Sequence, residues 1–201
     1  MKHVILLALT AMLTSLSTHA QESIKNPALR QVIDSLAFVD QKVQQDFLES
    51  FKTGEIAQYE RLQKEAFIRH TPILKAIFSK YGYPNYDLVG KKGANNYWLC
   101  VQHCDHDLKF QKQVLTGMEK EVKANKADGK NYAYLTDRVN VNSGKPQLYG
   151  TQVDWKDNLA VTKNLKDPNT VNKRRAAVGL GTLEEYLDMM NKMHKEMNSN
   201  K

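Results

Sequence analysis

The sequence predicts a mainly α fold: a multi-helix, bundle-like domain with one small β-hairpin. Apolar residues recur at three- and four-residue steps through most of the 201-residue chain, which is the period of an amphipathic helix. Residues that start and stop helices punctuate those runs. Only one stretch, Val139 to Val153, changes to a period of two.

Taken in order, Asn26-Pro27 is a helix start, an N-cap residue followed by proline at the first helical position. Leu29, Val32, Ile33, Leu36, Val39, Val43, Phe47 and Phe51 then form one apolar stripe, and Thr53-Gly54 ends it. Ile56, Tyr59, Leu62, Ala66 and Phe67 mark a second helix. Thr71-Pro72 repeats the cap-plus-proline signal, and Ile73, Leu74, Ile77, Phe78 and Tyr81 follow up to Gly82. A loop over residues 83–87 leads to a helix from Ala94 to about Cys104. Asp107 caps the next one, with Phe110, Val114, Met118 and Val122 on its inner face. After a glycine-containing link, residues 131–138 read as one or two helical turns. Val139 and Val141 then alternate with asparagines, Asn142-Ser143-Gly144-Lys145 is turn chemistry, and Gln147 to Val153 returns as a second short strand. Pro146 confines this pair to an edge or hairpin. Asp167-Pro168 opens a helix ending near Gly179. Thr182 with Glu185 is a capping box for a last helix lined by Leu183, Tyr186, Leu187, Met190 and Met193.

Charged residues make up 25% of the chain and apolar ones 41%, which excludes a collagen-like chain, an acidic disordered tail and a multi-span membrane protein. Residues 1–20 stand apart. Lys2 and His3 precede the apolar run Val4–Leu13, and Thr18-His19-Ala20 places small residues at the minus-three and minus-one positions of a cut. This is the layout of a secretory signal peptide, and the run is shorter than the about 20 apolar residues of a spanning helix. The expectation is therefore export to the periplasm or beyond, a mature start at Gln21, and a single helical domain over residues 21–201. Lys2 is the only charged residue of the leader, so its removal lowers the net charge of +7 by one. The remaining positive charge is dispersed among acidic and amide neighbours. It reads as solubility and attraction to an anionic envelope, not as a nucleic-acid interface.

The candidate chemistry lies in polar clusters set among the apolar stripes. His103 is the residue suited to proton transfer near neutral pH, with Asp137 or Asp105 to fix its tautomer. His103 and Asp137 are thus the candidate catalytic pair. Arg138 and Arg175 suit a forked grip on a carboxylate or phosphate. Gln102, Gln147 and Gln152 suit uncharged positioning of a polar ligand, with Asp105 and Tyr149 beside them. Together these residues fit general acid–base work on an anionic or amide-bearing small molecule or cell-envelope fragment. The expectation is that His103, Asp137, Arg138, Gln147 and Gln152 converge. The alternative is a buried structural network in a non-catalytic interaction module, whose first helix, Pro27 to Phe51, packs on a protein partner.

The run from Tyr81-Gly82-Tyr83-Pro84 through Gln102-His103, Asp105, Gln111, Tyr134-Leu135-Thr136-Asp137-Arg138, Gly144, Pro146-Gln147, Tyr149-Gly150-Thr151-Gln152, Arg174-Arg175 and Gly179-Leu180 resembles an uncharacterised bacterial family of unknown function. The resemblance covers about residues 81–186. It implies site candidates and no reaction. Cys100 and Cys104 depart from its pattern, which expects aliphatic residues or alanine there, so neither thiol is read as part of a shared site.

Cys100, His103 and Cys104 are neighbours on a helix surface, and His103 and Asp107 are four apart. Zinc tolerates such spacing, but no second ligand pair follows: His70 and His194 are isolated in sequence and Asp107 reads as a cap. No metal and no cofactor is expected. Cys100 and Cys104 read as core thiols, since a bridge across one helical turn points the Cβ atoms poorly. No integral membrane contact is expected in the mature chain.

Overall fold

The computed structural model describes residues 24–199, with side chains up to 196. The expected leader and its cut lie outside the described residues. Seven α-helices and one two-stranded antiparallel sheet follow in the order α1 Pro27–Thr53, α2 Ile56–Tyr81, α3 Tyr86–Gln102, α4 Leu108–Lys123, α5 Gly129–Asn142, β1 Val153–Lys156, β2 Leu159–Thr162, α6 Val171–Ala177 and α7 Leu183–Ser199. The mainly α fold with a small hairpin is thus the one the sequence predicts. No helix of the described residues is long and apolar enough to cross a membrane.

Local capping chemistry forms the ends that were read from it. Asn26 Oδ1 accepts from the Leu29 amide at 3.0 Å, with Pro27 opening α1. Gly54, at φ 82°, closes it. Asp107 Oδ1 accepts from Phe110 N at 3.0 Å. The capping box is reciprocal: Thr182 N donates to Glu185 Oε2, and Glu185 N to Thr182 Oγ1.

Tertiary packing moves three boundaries. α2 does not restart at Thr71-Pro72 but runs through Pro72. Ala66, His70, Leu74 and Ile77 stay in phase across the proline and are all buried, so packing outweighs the missing amide donor. α3 begins at Tyr86, not Ala94, because Asn85 caps it through Leu88 N; a non-helical Gly90 at φ 72° sits inside. α5 continues to Asn142, where alternation suggested a strand. Leu135 and Val139 lie four apart and are both buried, which rewards helix over strand. The hairpin forms later, around Asp157 and Asn158 at φ 52° and 62°, the paired positive φ of a tight two-residue turn. Its register pairs Val153 with Thr162 and Lys156 with Leu159.

α1 packs against α2 and α3, α4 packs against α5, and α3 touches α2, α4 and α5. Their shared core includes Ile33, Leu74, Tyr97, Val101, Phe110 and Met118. The C-terminal part, in which α7 contacts both β2 and α6, joins α5 through the loop at residues 143–152. Gly150 in that loop has φ 67°, and a Cβ there would stand 3.0 Å from Leu183 Cδ1 and 3.2 Å from Thr162 Cγ2. Gly150→Ala is expected to lower unfolding free energy by about 1–2 kcal/mol, the cost of left-handed backbone for an L-residue, in denaturant titration. No measurable loss would show that the loop relaxes freely.

Candidate functional site

The buried face of α1 runs Leu29, Ile33, Leu36, Ala37 and then Asp40. Asp40 is fully buried where the stripe calls for an apolar residue. His103, the C-cap of α3, reaches it: Nδ1 lies 2.9 Å from both carboxylate oxygens. A carboxylate in its ionised form only accepts, so Nδ1 carries a proton, and in the neutral ring Nε2 holds the lone pair. Gln41 Nε2 also donates to Asp40 Oδ1, at 3.0 Å. Phe67 of α2 stacks on the imidazole at 4.6 Å between centroids. Nε2 of His103 has no hydrogen-bond partner among the described residues, and the side chain is 14% exposed. The partner of His103 is therefore Asp40, in place of the expected Asp137 or Asp105.

A second cluster sits just beyond the end of α3. Arg138 grips Asp105 in a fork, Nε to Oδ1 at 2.8 Å and Nη2 to Oδ2 at 2.5 Å. Asn142 Nδ2 and Gln111 Nε2 donate to the same carboxylate at 2.9 and 3.2 Å. Burial works to raise the Asp105 carboxyl, but the bonds and charge of Arg138, with Gln111 and Asn142, outweigh it and hold it below its ordinary range. Gln111 also donates to the carbonyls of Val101 and Gln102. Gln102 Oε1 is buried without a hydrogen-bond partner among the described residues. The structure thus places Gln102, His103, Asp105 and Arg138 around one helix end.

The remaining predicted residues lie in a third cluster and hold backbone. Asp137, fully buried, accepts from the amides of Leu148, Tyr149 and Thr151 at 2.7, 3.1 and 2.9 Å and from Thr151 Oγ1 at 3.0 Å. Gln147 donates to Gln152 O and Lys163 O and accepts from Gln152 N. Arg175, 2% exposed, donates to Gly181 O and Tyr149 O at 2.7 Å each and lies over the Tyr186 ring. The expected convergence of His103, Asp137, Arg138, Gln147 and Gln152 on one another is corrected accordingly. Asp137 ties the 147–152 loop to α5, Arg175 ties it to α6, and Gln147 joins its two ends and Lys163.

Asp40 escapes the sequence reading, which sets His70 aside as isolated. Both left a signal: each is an ionisable residue in phase with a buried apolar stripe, Asp40 four after Leu36, and His70 midway between Ala66 and Leu74. Cys100 and Cys104 are free, buried thiols, and burial pushes the Cys104 thiol up to about 11, which disfavours its thiolate at neutral pH. An open recess of about 780 Å³ between α2 and α4, lined by Lys75, Phe78, Asp107, Phe110 and Lys120 among others, includes none of the site candidates.

Fold and site define a mainly α domain with a buried aspartate–histidine pair at the end of a central helix. The chain belongs to the family of unknown function DUF6624, whose model matches residues 27–196. That match starts at α1 and so brings Asp40 within the family's domain, beyond the span the sequence motifs marked. No curated protein and no solved structure matches the chain.

Proposed function

We propose that this is an exported helical protein that uses His103 as a general acid–base on an anionic or amide-bearing small molecule or cell-envelope fragment. The observation that carries the reading is the state of the imidazole: Nδ1 is held by buried Asp40 while Nε2, on a partly exposed ring, has no hydrogen-bond partner among the described residues. A positioned carboxylate fixes the tautomer and stabilises the imidazolium that forms on proton uptake. Asp40 is the orienter in this reading. Gln102, with its unpartnered buried oxygen, and the Arg138–Asp105 fork supply polarity next to it.

The test uses the mature chain on a mixture of soluble peptidoglycan fragments, read by mass spectrometry. The parent is expected to change the mass of at least one amide- or carboxylate-bearing component, and H103Q to lose that conversion while keeping the parent's circular dichroism. No conversion by the parent, or equal conversion by H103Q, overturns the reading. A non-catalytic interaction module is the second reading, favoured by the apolar side chains α1 leaves in solvent. These include Phe38, 75% exposed, with Leu48 and Phe51, and they suit a protein partner on the first helix.

A further inference from the structure

Asp40, His70 and Cys100 come from α1, α2 and α3, and thirty or more residues separate each from the next in the chain. One ligand atom from each, a carboxylate oxygen, an imidazole nitrogen and a thiol sulfur, lies within 4.8 Å of the others. All three residues are buried. His70 is 8% exposed, and its Nδ1 is buried with no hydrogen-bond partner among the described residues. A buried imidazole nitrogen without a partner is destabilising, and the cluster supplies a reason for it only if something else occupies the space between the three groups.

We infer that Asp40, His70 and Cys100 form a binding site for a divalent cation of the zinc class. The donor set decides the class. Nitrogen and sulfur ligands disfavour calcium and magnesium, which take oxygen, and suit zinc and its neighbours. Charge decides it again: one carboxylate and one thiolate neutralise a divalent ion, so the occupied site buries no net charge. Ligand atoms around tetrahedral zinc stand about 3.3–3.8 Å apart, from bonds of about 2.0–2.3 Å, so side-chain rotations of about 1 Å close the cluster. Binding converts the Cys100 thiol to a metal-bound thiolate and releases its proton to solvent. His103 keeps its bond to one Asp40 oxygen and so orients that ligand, as partners of ligating carboxylates do. Cys104 is not the ligand: its sulfur is engaged with Thr71 Oγ1 and Cys100 O at 3.4 Å each. Three protein ligands leave one zinc position for water or substrate.

The inference does not depend on acid–base work by His103. The experiment adds Co²⁺ to the reduced, metal-free mature chain and follows absorbance. The expected result is uptake of one equivalent with a thiolate-to-cobalt charge-transfer band, displaced by Zn²⁺. Cys100→Ser is expected to lose the band, His70→Ala to weaken uptake at least tenfold, and Cys104→Ser and H103Q to retain it. Absence of the band from the parent, or its survival in Cys100→Ser, overturns the site. Should Cys100→Ser fail to fold, thiol alkylation of the parent decides: Zn²⁺ is expected to protect Cys100 and not Cys104, and equal alkylation of both overturns it. Retention of the band by H103Q that has lost conversion of envelope fragments separates the two proposals.

Discussion

Asp137→Ala is expected to lower the unfolding free energy by about 4 kcal/mol. The carboxylate is fully buried and accepts from three loop amides and one hydroxyl. Truncation leaves the amides of Leu148, Tyr149 and Thr151 without an acceptor, at about 1–3 kcal/mol for each group that stays dry. Leu148 and Tyr149 are only partly buried, so water reaches some of them and the sum stays near the lower bound. Arg174 Nε and Arg175 Nη1 still hold the Leu148 and Tyr149 carbonyls, which keeps the loop tethered. Asp137→Asn retains one acceptor but turns an NH₂ towards amide donors, so about half the loss is expected. Denaturant unfolding gives the size, and amide exchange at residues 147–152 gives the location. A loss below about 1 kcal/mol would show that the loop is held by the arginines alone.

The second large effect concerns Asp40 and His103. His103→Ala removes the donor that faces both Asp40 oxygens and the ring stacked on Phe67. Among the described residues, a buried carboxylate then keeps only the Gln41 amide. Breaking a buried pair from one side costs about 3–5 kcal/mol. The imidazole is partly exposed, so water enters the vacated space, and about 3 kcal/mol is expected in the presence of a chelator. Asp40→Asn in the same chain removes the uncompensated charge and is expected to recover at least about 1 kcal/mol. The double-mutant cycle measures that coupling. Strict additivity of the two substitutions would show that the pair carries no interaction, and the acid–base reading would lose its orienter.

Both effects turn on pairings that sequence reading did not find. From sequence, Asp137 reads as a carboxylate that fixes the tautomer of His103. Its role is to end the backbone needs of a loop eleven to fourteen residues further on. Sequence reading pairs His103 with Asp137 or Asp105, yet its acceptor lies 63 residues away on α1. A more searching use of periodicity would have marked Asp40, since a carboxylate in phase with Leu29, Ile33 and Leu36 must be buried by its helix and a buried charge needs a partner. Periodicity names the need but not which residue meets it.

The helical class and most of the helix ends are written into local stretches of chain. Asn26-Pro27, Gly54, Asp107 and the Thr182–Glu185 box act within one turn of backbone, so the residues that make the signal are the residues that satisfy it. Tertiary packing alone decided the rest. It carried α2 through Pro72 and α5 through Val139 and Val141, because burial of Leu74 and Val139 outweighs local preference. It also divided the polar residues among three clusters, placing His103 on Asp40, Arg138 on Asp105 and Asp137 on the loop. A side chain's partner is set by which helix faces which, and that is a property of the whole core rather than of any stretch of chain.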